Sequence, residues 1–111
     1  MGDPLTEKII GAAIEVHKLL GPGLLESIYE EALCIEFELR GIRFERQAPV
    51  TIDYKGRALS GQRLDLLIEG EVVVELKSVS KLPEVAMAQV LSYLRATKCK
   101  RALLINFGVQ R

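Results

Sequence analysis

Apolar residues recur at helical spacing through the N-terminal part of the chain and at strand spacing through its middle. Asp3-Pro4 supplies an N-cap and a first helical residue, and Ile9, Ala13, Val16 and Leu20 then fall on one face before Gly21-Pro22-Gly23 stops the helix. A second helix follows at once. Leu25, Ile28, Tyr29, Ala32, Ile35 and Leu39 form the stripe expected to face its core, and Gly41 stands where a left-handed residue ends it. From Phe44 to Tyr54 the period changes to two, with Val50 and Ile52 alternating against Thr51 and Asp53, and Lys55-Gly56 makes a turn. Leu64 to Ile68 and the β-branched run Val72 to Val74, separated by Glu69-Gly70, read as a hairpin. Pro83 opens a third helix carrying Val85, Ala88, Val90, Leu91 and Leu94, and Ala102 to Ile105 is a last buried strand. The expected order is α-α-β-β-β-α-β, an α+β (α/β) arrangement of a small mixed sheet flanked by helices.

The hairpin carries the densest chemistry. Side chains alternate along a strand, so Val73, Glu75 and Lys77 share one face and Val72, Val74 and Leu76 the other. Asp65, on the paired strand, adds a second carboxylate. Two acids on neighbouring strands can ligate Mg²⁺, which keeps several of its waters, and an adjacent ammonium can act on one of those waters. The plainer reading of Glu-x-Lys is a solvated cross-strand ion pair. Against it stands the apolar run Val-Val-Val-Glu-Leu-Lys, too hydrophobic on both faces for a surface edge, which places the charges at the rim of a buried sheet.

Composition narrows the field. The chain has 111 residues, of which 49% are hydrophobic, enough for one soluble domain with a real core and too few for two. Fifteen basic and fifteen acidic residues cancel, so nucleic-acid binding would have to use a local basic patch. Candidates are Arg40, Arg43, Arg46, Lys55, Arg57 and Arg63 in the middle third, then Lys98, Lys100 and Arg101. Apolar runs fall short of a membrane span and the N-terminus lacks the pattern of a signal peptide, which points to a cytoplasmic protein with no membrane partner. Cys34 and Cys99 lack CxxC or Cys/His spacing and read as reduced, packed thiols.

Three further polar groups bear on chemistry. Glu26 and Glu30 lie four apart on one flank of the second helix, beside Leu33 and Phe37 at the margin of its stripe. Acids there are favoured by the helix dipole whatever else they do. Gln89 sits among Ala88, Val90 and Leu91, followed by Ser92 and Tyr93, and a buried amide in that setting needs a hydrogen-bond partner. His17, the one histidine, reads as a packed or capping residue before a proton carrier.

These residues carry a resemblance. Gly23-Leu-Leu-Glu26-Ser-Ile-Tyr29 is similar to the motif of the small bacterial GxxExxY proteins. So are His17-Lys-Leu-Leu-Gly-Pro-Gly before it, then Gly61-Gln-Arg63-Leu-Asp65, Val74-Glu75-Leu-Lys77, Ala88-Gln89 to Tyr93, and Leu104 to Gly108. That family is grouped with the PD-(D/E)XK nuclease-like superfamily, whose helix, three-stranded hairpin sheet, helix and strand fit the expected order with one helix added in front. The resemblance implies a single domain over residues 1–111 that hydrolyses phosphodiesters, on DNA in preference to RNA. Asp65, Glu75 and the carbonyl of Leu76 would hold Mg²⁺ or Mn²⁺, which would polarise the phosphate and acidify the attacking water. Lys77 would act on that water, with Glu26 as the first-helix acid and Gln89 as the polar residue of the later helix. Two other readings stay open: a module that binds nucleic acid or protein without cutting, suggested by the neutral charge and by Ala86 where many relatives carry histidine, and a small domain that works as a homodimer.

Overall fold

The computed structural model describes residues 3–108 and has seven elements. They are α1 (Pro4–Leu20), α2 (Glu26–Leu39), β1 (Phe44–Tyr54), β2 (Arg57–Ile68), β3 (Val72–Lys77), α3 (Val85–Thr97) and β4 (Arg101–Asn106). The four strands make one mixed sheet in the order β1-β2-β3-β4, and with the three helices they form an α+β fold. Antiparallel pairing joins β1 to β2 and β2 to β3.

Local chemistry explains the boundaries. Pro4 starts α1, where its missing N–H costs no helix bond, while the Asp3 carboxylate accepts from the Thr6 hydroxyl at 2.6 Å instead of capping a backbone N–H. Gly41 ends α2 at φ 71°, and the Ile42 N–H folds back to the Phe37 carbonyl. The β1–β2 turn needs positive φ at both central residues, and Lys55 and Gly56 adopt 52° and 82°.

By contacts the chain divides into two compact units. The first comprises Met1–Arg43, Leu76–Leu82 and Ile105–Arg111. Tyr29 stacks on the buried Phe107 with ring centroids 4.6 Å apart, and His17 tilts against the same ring. The second comprises Phe44–Glu75 and Pro83–Leu104. Ala48, Val50, Leu64, Val73 and Tyr93 form a core there, with Leu67, Leu94, Cys99 and Ala102 packed around it.

Two expected helix faces are corrected. On α2 the buried residues are Tyr29, Glu30, Leu33, Cys34 and Phe37, whereas Leu25, Ile28, Ile35 and Leu39 are exposed. The helix carries two apolar stripes, and the one holding the large aromatic ring of Phe37 is the one buried. Glu30, placed by the sequence at the margin of the stripe, is only 6% exposed. On α3, Ala86, Val90 and Tyr93 are buried while Val85 and Leu91 face outward, because the Tyr93 ring takes the place in the core expected of Leu91. Cys34 is buried and Cys99 half-buried, and neither is in a disulfide.

Candidate active site

The acidic pair follows from strand register. Leu66 pairs with Val74, Leu67 with Val73 and Ile68 with Val72, and one further step along the ladder sets Asp65 opposite Glu75. The Glu75 carboxylate accepts the Asp65 backbone N–H through Oε2 at 2.8 Å. Glu75 is only 6% exposed, and a carboxylate so deep in a sheet must be met by donors. Asp65 itself is half-buried. Beside it Gln47 adopts φ 53° and interrupts the β1–β2 ladder, its carbonyl accepting from Arg63 Nη1 at 2.8 Å. The Gln47 side-chain amide lies 3.5 Å from Asp65 Oδ1, at the outer limit for a hydrogen bond.

Tyr93 on α3 is bonded to the strand that carries Asp65. Gln62 on β2 donates through Nε2 to the Tyr93 hydroxyl. That bond occupies a phenol lone pair and leaves the phenol proton to be given elsewhere. Burial first, and then the Glu75 and Asp65 carboxylates, hold the Tyr93 phenol above its ordinary value, while the Gln62 bond pulls it down. Both acids therefore act on the hydroxyl. Gln89 is exposed on α3 and lines an open groove of about 260 Å³ with Gln62, Ser92 and Tyr93. The expected neighbour of the acids thus reaches solvent in Tyr93's groove, and the buried polar group of α3 is Tyr93.

The first unit holds the remaining candidates. Glu26 opens α2 and is half-buried. The loop before it is held by Tyr29, whose hydroxyl donates to the Gly21 carbonyl and accepts the Leu24 N–H at 3.1 Å. A tyrosine three residues after Glu26 thus fastens the turn that presents that acid. Ser78, just past β3, donates to the Leu24 carbonyl at 2.8 Å, which ties the end of β3 to the start of α2. Lys77 is half-buried and is the last residue of β3, two beyond Glu75 on the alternating face, with Leu76 buried between them. The Lys77 carbonyl accepts the Phe107 N–H at 2.8 Å. Asn106 clamps the next residues, accepting from the Val79 N–H at 3.1 Å and donating to the Val79 carbonyl at 2.9 Å.

Several basic candidates are engaged within the fold. Arg40 pairs with Glu36 and Arg101 with Glu71, both at 2.6 Å, and Lys55 sits over the Tyr54 ring. Lys98, Lys100 and Arg101 line an open cleft of about 530 Å³ with Glu71 and Cys99. His17 is half-buried against Phe107, and its Nε2 is buried with no hydrogen-bond partner among the described residues, the setting of a packed ring.

A mixed sheet with an acid on each of two adjacent strands and a lysine two residues past the second is an arrangement suited to phosphodiester chemistry. A model of the PD-(D/E)XK nuclease superfamily matches residues 3–111, and the chain belongs to that superfamily. No curated protein and no solved structure matches it. No helix among the described residues is long and apolar enough to cross a membrane.

Asp65 and Glu75 are legible as a pair in the sequence, whereas the Gln62–Tyr93 bond is not. The signal for Tyr93 was present: a phenol four residues after Gln89 shares its side of the helix. Gln62 carried no local signal, since its partner lies 31 residues away.

Proposed function

We propose that this chain is a divalent-metal-dependent nuclease of the GxxExxY kind, acting on DNA in preference to RNA. The observation that carries the reading is the buried Glu75 carboxylate fixed on the Asp65 N–H, which gathers two acids at one step of the β2–β3 ladder. The donor set fits Mg²⁺ or Mn²⁺. Mg²⁺ binds through one or two carboxylates and keeps waters in its other positions, so a pair suffices, although no group of three His, Cys, Asp or Glu able to hold a metal occurs among the described residues. Asp65 and Glu75 would hold the ion, with the Leu76 carbonyl as a third ligand. When bound, the ion supplies Lewis-acid charge to the phosphate and acidifies water.

The chain's own residues do the rest. Lys77 orients the attacking water and offers positive charge to the phosphorane-like transition state. Glu26, held at the head of α2 by the Tyr29-fastened turn, is the first-helix acid that would order a water. Gln89 meets the phosphate backbone from the open face of α3. A second reading, a module that binds nucleic acid or protein without cutting, draws on the cancelling charges, which give no long-range attraction to a polyanion.

Cleavage of labelled duplex and single-stranded DNA and RNA with Mg²⁺ or Mn²⁺ separates the two. The nuclease reading expects metal-dependent cleavage that Lys77→Ala abolishes while metal affinity stays. Metal binding by the wild-type chain with no cleavage of any substrate would leave the binding module.

A further inference from the structure

Tyr29 apart, the α2 stripe that the sequence assigns to the core lies on the surface. Leu25 at the cap and Ile28, Ile35 and Leu39 are 74%, 42%, 51% and 77% exposed, with Ala32 half-buried between them. The separations are three, four, three and four residues, the a/d repeat of a coiled-coil seam. A separate face of the helix, bearing Leu33 and Phe37, already serves the core. The seam is thus a second apolar row with no core to fill, and a contiguous exposed row of this kind marks an interaction site.

The flanking charges say what fits it. With Leu25, Ala32 and Leu39 at a positions, the g positions are Glu31 and Glu38, and Glu36 is an e position. Glu31 and Glu38 are exposed, and among the described residues neither is paired with a cation; Glu36 is held by Arg40 at 2.6 Å. A second copy of α2 laid parallel would set Glu31 against Glu36, and one laid antiparallel would set Glu31 and Glu38 against each other. Like charges would then flank the seam, which works against self-pairing. An anionic bilayer is repelled by the same acids.

We propose that the exposed α2 seam docks an amphipathic helix of another protein whose apolar stripe is flanked by lysine and arginine. The inference is independent of the nuclease reading, because it uses no residue of the acidic pair and would hold for a non-cutting module.

The test uses the full chain and two synthetic helical peptides with leucine at a and d, one with lysine and one with glutamate at e and g, followed by fluorescence anisotropy. The lysine peptide binds saturably, and its affinity falls as salt screens the flanks. Ile35→Gln weakens it about tenfold or more, the size expected for losing one buried aliphatic contact. The double variant Glu31→Lys and Glu38→Lys reverses the preference toward the glutamate peptide. All these positions are exposed, and circular dichroism with a melt verifies that each variant is folded. The proposal is overturned if the wild-type chain fails to bind the lysine peptide, binds both peptides equally, or is indifferent to Ile35→Gln. Sedimentation showing a wild-type dimer that Ile35→Gln dissociates would also overturn it, assigning the seam to a second copy.

Discussion

Replacing Glu75 in two ways separates the charge of the acidic pair from its hydrogen bond. Glu75→Ala removes the acceptor of the Asp65 N–H, a charge-assisted bond at a position only 6% exposed, and leaves that N–H facing a small cavity. Losing a hydrogen bond to a charged group and stranding its partner costs about 2–3 kcal/mol. Glu75→Gln keeps an oxygen where the bond needs one and deletes a negative charge beside Asp65. The weaker bond is offset by relief of like-charge repulsion and of carboxylate burial, so the net change should stay within about 1 kcal/mol. At about 4–8 °C per kcal/mol for a chain of this size, the alanine variant should melt roughly 8–24 °C below wild type and the glutamine variant within about 8 °C of it. Thermal and urea unfolding in metal-free buffer measure both. If Glu75→Gln falls as far as Glu75→Ala, the charge itself stabilises the apo sheet and the repulsion argument is wrong. If neither falls, the bond to Asp65 contributes nothing.

Other predictions follow from the same contacts. Tyr93 has its phenol pKa raised above 10.0, so its contribution to stability is complete below about pH 10 and is lost as pH rises from there through the raised value. Tyr93→Phe should flatten that alkaline decline in unfolding free energy, and Asp65→Asn should bring the Tyr93 phenol down in an ultraviolet tyrosinate titration. Tyr29→Phe keeps the ring stack on Phe107 but loses both hydroxyl bonds of the Gly21–Leu24 turn, which should cost about 1–2 kcal/mol and speed amide exchange at Leu24. Gly108→Ala would drive a Cβ to 2.3 Å from the Val79 backbone nitrogen, and the backbone shift this forces should cost about 1–3 kcal/mol in urea unfolding.

The strands were legible because their chemistry is local. β-Branched runs, Lys55-Gly56 and Glu69-Gly70 marked both hairpins, and alternation along β3 together with register brought Asp65 and Glu75 into view. The helices were legible in extent but not in facing. Ile28, Ile35 and Leu39 are as apolar as Leu33 and Phe37, and periodicity cannot say which of two stripes meets the core and which meets solvent. The same limit let Leu91 stand in for Tyr93, whose ring is buried with Ala48, Val50, Leu64 and Val73 from distant parts of the chain. The buried Glu30 ran against every compositional expectation for a glutamate.

The claim that matters most is that Asp65 and Glu75 together hold a divalent cation. Calorimetric titration of Mn²⁺ into the wild-type chain and into Asp65→Asn, paired with melting curves, tests it directly. Saturable binding by the wild-type chain should raise its unfolding free energy by about 2.7 kcal/mol when free metal reaches a hundred times Kd, and Asp65→Asn should lose both the heat and the stabilisation while remaining folded. Equal binding by wild type and Asp65→Asn, or no binding by either at millimolar Mn²⁺, would contradict it.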